Sequence, residues 1–129
     1  GLAGLAAGIR YRMDQGIEKL QKRERDLTRR FYEQVKEIPG VIVYGDPAAE
    51  CHAPIVSLNL AGEDSARVAD ALWEEYGICV RAGAHCAPLM HRALGTVDQG
   101  VVRFSFSHFN TEEEIDRAAE AVRALAEEA

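Results

Sequence analysis

No part of the 129-residue sequence approaches the roughly 20 consecutive apolar residues that a membrane-spanning helix needs. Cysteine is scarce, with only Cys51, Cys79 and Cys86, and this odd number is too small for a disulfide framework. We therefore expect a protein of the reducing cytoplasm. The apolar start, residues 1–8, is short and has no basic lead, so we do not expect a signal peptide. The sequence begins with Gly1 rather than Met, which suggests a fragment.

Several common catalytic patterns are also missing. There is no glycine-rich phosphate loop, no G-x-S-x-G motif and no pair of carboxylates at catalytic spacing. The net charge of −6 disfavours a nucleic-acid partner. Residues 10–37 carry a basic excess, but both signs mix there at helical spacing, which predicts a solvated helix face.

Hydrophobic residues make up 47% of the sequence and charged residues 28%, as in a single globular domain. Apolar residues at helical spacing predict a first helix that breaks near Gly16 and a second that runs to Ile38. Similar patterns predict a helix that is capped by Asp64 or Ser65 and ends at Gly77, one or two turns over 88–94 and a last helix after Asn110.

Four short runs rich in β-branched or aromatic residues predict strands. They cover residues 41–44, 55–60, 78–80 and 101–106, and the third is expected to be buried. The predicted fold is α/β or α+β, a small four-stranded sheet with flanking helices.

The segment Arg81-Ala82-Gly83-Ala84-His85-Cys86-Ala87-Pro88 is the most unusual in the chain. Pro88 suits the first position of a helix, so Cys86 would lie near a helix N-terminus, beside His85 and within reach of Arg81. Positive charge and the helix dipole both favour the thiolate form, which is the nucleophilic one. Spacing alone leaves two alternatives open, a functional Cys86 and an incidental loop cysteine.

The other cysteines and histidines have simpler interpretations. Cys79 lies in a predicted strand and is expected to fill the core, and Cys51 is an incidental loop residue. The ligand spacings do not favour a zinc site, so we expect no metal. We expect the remaining histidines to be surface or internally satisfied residues, and these are His52, His91 and His108.

Arg103 is a cation inside an apolar strand pattern, residues 101–106. One interpretation is the exposed face of a half-buried strand. The other is a guanidinium on the floor of a cleft, where its planar fork would hold a carboxylate at two points.

Taken together, these residues resemble a known family. The segments 81–88, Val-Arg-Phe-Ser at 102–105 and Phe-Asn-Thr-Glu-Glu-Glu-Ile-Asp at 109–116 are similar to the C-terminal part of cysteine desulfurases and selenocysteine lyases. These are class V, fold-type I enzymes that use pyridoxal 5'-phosphate. The likeness extends over the whole chain, with residues 1–38 resembling linking helices and 39–129 the C-terminal small domain.

The resemblance implies a function and roles for individual residues. In the family a thiolate of the enzyme attacks the sulfur of L-cysteine, which gives L-alanine and an enzyme persulfide whose outer sulfur passes to an acceptor protein. Cys86 matches the persulfide-carrying nucleophile and Arg103 the arginine that binds the substrate carboxylate. Arg81 matches an arginine at the edge of the site, and His85 is a candidate supporting residue beside the nucleophile.

The sequence departs from the family in one respect. Its lysines are Lys19, Lys22 and Lys36, all in the first helices, and none has the context of the lysine that binds the cofactor. The resemblance therefore implies that the large domain of the same enzyme is absent, and that this chain alone is inactive. The full-length form would be a homodimer, with neither nucleic acid nor membrane as a partner.

Two alternatives remain open. One is a domain of a class V aminotransferase or lyase without sulfur transfer, which would not need a thiol at position 86. The other is a non-catalytic module that accepts sulfur or binds a partner.

Overall fold

The computed structural model describes residues 1–47, 49 and 52–128. In chain order the helices are α1 (Leu2–Gln15), α2 (Ile17–Val35), α3 (Ser65–Tyr76), α4 (Pro88–Leu94) and α5 (Glu112–Glu128). The strands are β1 (Val41–Tyr44), β2 (Ile55–Leu60) and β3 (Val102–Ser105). None of the helices described is long and apolar enough to cross a membrane.

The sheet is antiparallel, with the strands in the order β1-β2-β3. Val56 and Leu58 of β2 pair with Phe104 and Val102 of β3, and all four side chains are buried on the face that packs against the helices. On that face Phe31 of α2 contacts Phe104, with ring centroids 4.6 Å apart. We call this side of the sheet the core face and the opposite side the outer face.

Helix α5 packs against α2 and α3. Its buried residues include three small ones, Ala118, Ala119 and Ala121. At the edge of this contact the Arg30 guanidinium donates two hydrogen bonds of 2.7 Å to the Asp116 carboxylate. This ion pair and its hydrogen bonds hold the pKa of Asp116 down at about 2.

The predicted third strand is not formed, so the prediction of a four-stranded sheet is wrong for the part of the chain that the structure describes. Helix α3 ends at Gly77 in a left-handed conformation, and the Ile78 amide bonds back to the Leu72 carbonyl instead of to a strand. Ile78 and Val80 pack against the core, so Cys79 between them points the other way and is exposed. The prediction that Cys79 fills the core is therefore also wrong.

Helices α1 and α2 are separate, as predicted, and Gly16 with φ 86° lies between them. Helix α1 has no buried residue, and its apolar stripe is exposed, with Leu2 85% and Met13 64% accessible. The stripe therefore does not contribute to the core of this chain.

Candidate active site

The outer face of the sheet carries a row of polar side chains. Ser57 of β2 is paired with Tyr44 of β1 on one side and with Arg103 of β3 on the other. An isolated antiparallel bridge joins Arg103 to Arg81 beyond the last strand. Directly paired residues share a face of the sheet and lie about 5 Å apart at Cβ, so two hydroxyls and two guanidiniums stand side by side. The same strands carry only apolar side chains at the adjacent core-face positions.

The segment that bears Arg81 is held against β3 by its backbone. Arg81 and Arg103 exchange two hydrogen bonds of 3.2 and 2.8 Å, and Gly83 and Val101 exchange two of 3.1 and 3.2 Å. Close packing secures this contact, because a Cβ atom on Gly100 would lie 2.7 Å from the Gly83 Cα. The loop over residues 82–87, which runs from Arg81 to the start of α4, therefore begins at a fixed position at the edge of the sheet.

A cleft of about 290 Å³ lies between the outer face and helix α4. Tyr44, Ser57 and Arg103 line it from the sheet, and His85 and Ala87 line it from the loop. The remaining lining residues are mostly apolar, namely Gly45, Ile55, Met90, His91, Leu94 and Val101. The result is an apolar cleft with one arginine on its floor.

Arg103 is half-buried, and its buried Nε atom has no hydrogen-bond partner among the described residues. Neither Arg103 nor Arg81 forms an ion pair within the described part of the chain. A buried donor without a partner costs about 1–3 kcal/mol. Two like charges at directly bridged positions are also unfavourable. An anion bound between the arginines would relieve both costs, and a carboxylate would match the guanidinium fork.

Cys86 is exposed and lies at the rim of the cleft, because its neighbours on both sides line the cleft while it does not. His85 and Cys86 have φ values of 50° and 60°, in the left-handed region that L residues other than glycine rarely adopt. The Ala87 amide donates a 2.9 Å hydrogen bond to the Ala84 carbonyl and closes the turn. Helix α4 begins at Pro88, directly after this turn, as predicted.

The His85 imidazole is fixed inside the loop. Its Nε2 atom donates a 3.1 Å hydrogen bond to the Val101 carbonyl, and its buried Nδ1 atom has no partner among the described residues. Burial lowers the pKa of His85, and the charges of Arg103 and Arg81 lower it further. Both effects favour the neutral form of the ring.

The structure thus brings Arg103 and His85 into one cleft and places Cys86 and Arg81 at its edges. Sequence reasoning missed Tyr44 and Ser57, whose place in the site depends on strand register. His91 is buried and bonds to the Thr96 hydroxyl at 2.8 Å. Cys51 lies outside the described residues, and no group of three or more metal-binding side chains occurs within them.

Comparison with known proteins assigns the family. Residues 1–118 match the aminotransferase class-V family, and the chain belongs to it. It is 40% identical over 128 residues to a probable cysteine desulfurase of Methanothermobacter thermautotrophicus, covering 98% of this chain and 31% of that protein. The chain thus spans about a third of the length of this relative.

Solved structures agree with this assignment. The apo structure of a cysteine desulfurase from Thermococcus onnurineus NA1 superposes with a TM-score of 0.89 at 35% identity, over 98% of this chain and 30% of that one. The cysteine desulfurase CsdA of Escherichia coli, in an S-sulfonic acid form, gives a TM-score of 0.84 at 27% identity. This match covers 98% of this chain and 30% of that one. The fold resemblance predicted from the sequence is therefore confirmed.

The class V family depends on pyridoxal phosphate, so the residues of the cleft can be compared with those that this cofactor requires. The cofactor needs a lysine, and none of the residues lining the cleft is one. Lys22 and Lys36 form ion pairs with Asp26 and Glu33, and Lys19 lies in α2. The residues that line the cleft therefore do not fit the cofactor.

Proposed function

We propose that the chain is the C-terminal small domain of a pyridoxal-phosphate-dependent cysteine desulfurase. The observation that carries this proposal is an exposed cysteine, held in a left-handed turn at the rim of a cleft whose floor carries an unpaired arginine. Residues 1–38 would link the two domains, and 39–129 would form the small domain. The names of the relatives support the same activity.

Arg103 would bind the carboxylate of L-cysteine. Its buried Nε atom and its position on the cleft floor leave the guanidinium directed at an anion. Arg81, next to it across the bridge, would add positive charge at the edge of the same site. Met90 and Leu94 add apolar surface to the cleft on the side of α4.

Cys86 would act as the nucleophile. Its thiolate Sγ attacks the substrate sulfur, so that an S–S bond forms while the substrate C–S bond breaks. The electron pair of that bond stays with the substrate carbon, which takes up a proton and yields L-alanine. The enzyme is left with a persulfide on Cys86, whose exposure suits transfer of the outer sulfur to an acceptor protein.

Pyridoxal phosphate would come from the part of the protein that this chain does not span. When bound, it supplies the electron sink that C–S cleavage requires. The fragment alone should therefore be inactive. The complete enzyme would be a homodimer of the reducing cytoplasm, where free thiols such as Cys79 and Cys86 persist.

A chimeric enzyme tests the proposal. This chain would replace the matching 31% of the Methanothermobacter thermautotrophicus protein, which would supply the cofactor lysine. We expect the chimera to release L-alanine from L-cysteine, and we expect Cys86→Ser to abolish release while Cys79→Ser does not. Cofactor absorbance confirms that each protein is loaded.

Two outcomes would contradict the proposal. A loaded chimera that forms no alanine would support a class V aminotransferase or an interaction module instead. Full alanine release by Cys86→Ser would support a lyase that needs no enzyme thiol.

A further inference from the structure

We propose that His85 is a positioning residue, whose hydrogen bond to Val101 holds the turn that presents Cys86 at the rim of the cleft. The inference rests on the proposed function, in which Cys86 is the nucleophile. It gives a specific role to a histidine that the sequence identified only as a neighbour of the cysteine.

The turn requires a restraint from outside itself. Both central residues, His85 and Cys86, have positive φ, and neither is a glycine or asparagine that adopts this region readily. Within the turn, one hydrogen bond from the Ala87 amide to the Ala84 carbonyl closes the backbone. A strained conformation persists only when surrounding contacts determine it.

The imidazole of His85 supplies such contacts on two sides. Nε2 donates to the Val101 carbonyl, which also accepts the Gly83 amide at 3.1 Å, so both lone pairs of that oxygen are used. The ring also stacks on His91, with centroids 6.2 Å apart and planes inclined by 20°. His91 is itself buried and bonded to Thr96, so the surface behind His85 is rigid.

The hydrogen bond from His85 to Val101 joins the loop that carries Cys86 to the chain that leads into Arg103. Val101 lies two residues before Arg103, whereas His85 directly precedes Cys86. A shift of the thiol relative to the arginine would therefore stretch the contact between His85 and Val101. Misplacing a reacting group by about 1 Å can slow a reaction by roughly a hundredfold, so this tie matters for catalysis.

The protonation state agrees with the role. Burial lowers the pKa of His85, the hydrogen bond to Val101 opposes this, and electrostatic interaction with Arg103, Arg81 and His91 lowers the pKa further. A neutral ring that donates from Nε2 carries its lone pair on Nδ1, which is the buried atom without a partner. Protonation there would place an unpaired charge beside two arginines.

The first test uses nitrogen-15 NMR on the intact chain. At neutral pH the neutral form of His85 should be the Nε2–H tautomer, with His85→Gln used to assign the signals. A neutral Nδ1–H tautomer, or an equal mixture of the two, would overturn the proposal.

The second test compares His85→Gln with His85→Asn. The glutamine amide can reach the position of Nε2 and donate to Val101, whereas the shorter asparagine amide cannot. Asparagine, however, adopts positive φ more readily, so backbone strain alone would favour His85→Asn. We expect hydrogen-exchange protection of the Ala87 amide to fall about tenfold in His85→Asn and to be retained in His85→Gln.

The same two variants, made in the chimera, distinguish a role of His85 in positioning Cys86 from a purely structural role. We expect His85→Asn to lower kcat for alanine release about tenfold with an unchanged KM, and His85→Gln to restore most of it. Equal protection and equal kcat in both variants would overturn the proposal. If the unmutated chimera is inactive, the proposed function fails, and the tautomer and the exchange measurement still decide the role of His85.

Discussion

The two faces of the sheet differ although they are built from the same three strands. On the core face Val56, Leu58, Val102 and Phe104 are buried against α2 and α5. On the outer face the neighbouring positions hold the polar row, of which Tyr44, Ser57 and Arg103 line the cleft. Side chains alternate along a strand, so one strand can stabilise the fold with one set of residues and serve the site with the other. Substitutions at adjacent positions of one strand should therefore affect either the stability of the fold or the cleft, depending on the face.

A second contrast concerns two arginines. Arg30 donates to Asp116 and Glu112 at the edge of the core, so its charge is satisfied within the chain. Arg103 has no such partner in the described part of the chain, and one of its donors is buried. Arg30 thus contributes to the fold, whereas under the proposed function Arg103 would use its buried donor to hold a carboxylate.

The largest effect is expected from the core face. Phe104→Ala should lower the free energy of unfolding by about 3–5 kcal/mol, because it opens a cavity against Phe31. Arg103→Ala, one position away, should change it by no more than about 1 kcal/mol, because it also removes a buried donor without a partner. Urea denaturation of the chain measures both, and equal losses would contradict the division between the faces.

The next largest effect is expected on the outer face, at Arg103. In the chimera, Arg103→Ala should raise KM for cysteine roughly tenfold to a hundredfold, as expected for loss of about 1.5–3 kcal/mol of charged hydrogen bonding. Arg103→Lys should give an intermediate value, because it keeps the charge without the fork. Ser105→Ala is the matched control, on the same face of β3 but outside the cleft. An unchanged KM in Arg103→Ala would remove this residue from the carboxylate site.

A smaller effect distinguishes the two described cysteines. Both thiols are exposed, but only Cys86 lies in a turn with positive φ, between two residues that line the cleft. We expect iodoacetamide to alkylate Cys86 several-fold faster than Cys79 at neutral pH, as followed by mass spectrometry. Equal rates in the unmutated chain would show that the setting of Cys86 does not activate its thiol.

The smallest effect is expected from the ion pair between Arg30 and Asp116. Asp116 has a pKa of about 2 in the folded chain, below its ordinary value of 3.8, so its ionised form favours the folded state. This stabilisation is complete above pH 3.8 and is lost as the pH falls towards 2. The Tm of Asp116→Asn should lie slightly below that of the unmutated chain at pH 5, and the two should converge near pH 2. A difference that stays constant over this range would exclude the ion pair as its cause.

Much of the fold could be predicted because it depends on local patterns. The break at Gly16, the start of α4 at Pro88 and the alternation around Arg103 follow from backbone preference and side-chain periodicity. The strand predicted over residues 78–80 failed because strand formation needs a hydrogen-bonding partner, which a local pattern does not reveal. The exposure of Cys79 has the same cause.

The site was predictable in part. Cys86, His85 and Arg81 lie in one unusual segment, and Arg103 is conspicuous as a cation in an apolar run. Tyr44 and Ser57 carry no such signal, because serine and tyrosine are ordinary residues of half-buried strands. Their place beside Arg103 follows from pairing between residues far apart in the chain.

Local patterns in the amino-acid sequence thus predicted the helices and the three strands that form, and the resemblance gave the family, while the roles of Cys86, Arg103, Arg81 and His85 stay predictions. Only the tertiary structure decided that Tyr44, Ser57, Arg103 and Arg81 form one row, and that the Val101 carbonyl ties His85 to the strand of Arg103. The physical reason is that backbone conformation and periodicity act over a few residues, whereas strand register and cleft formation depend on contacts between distant segments.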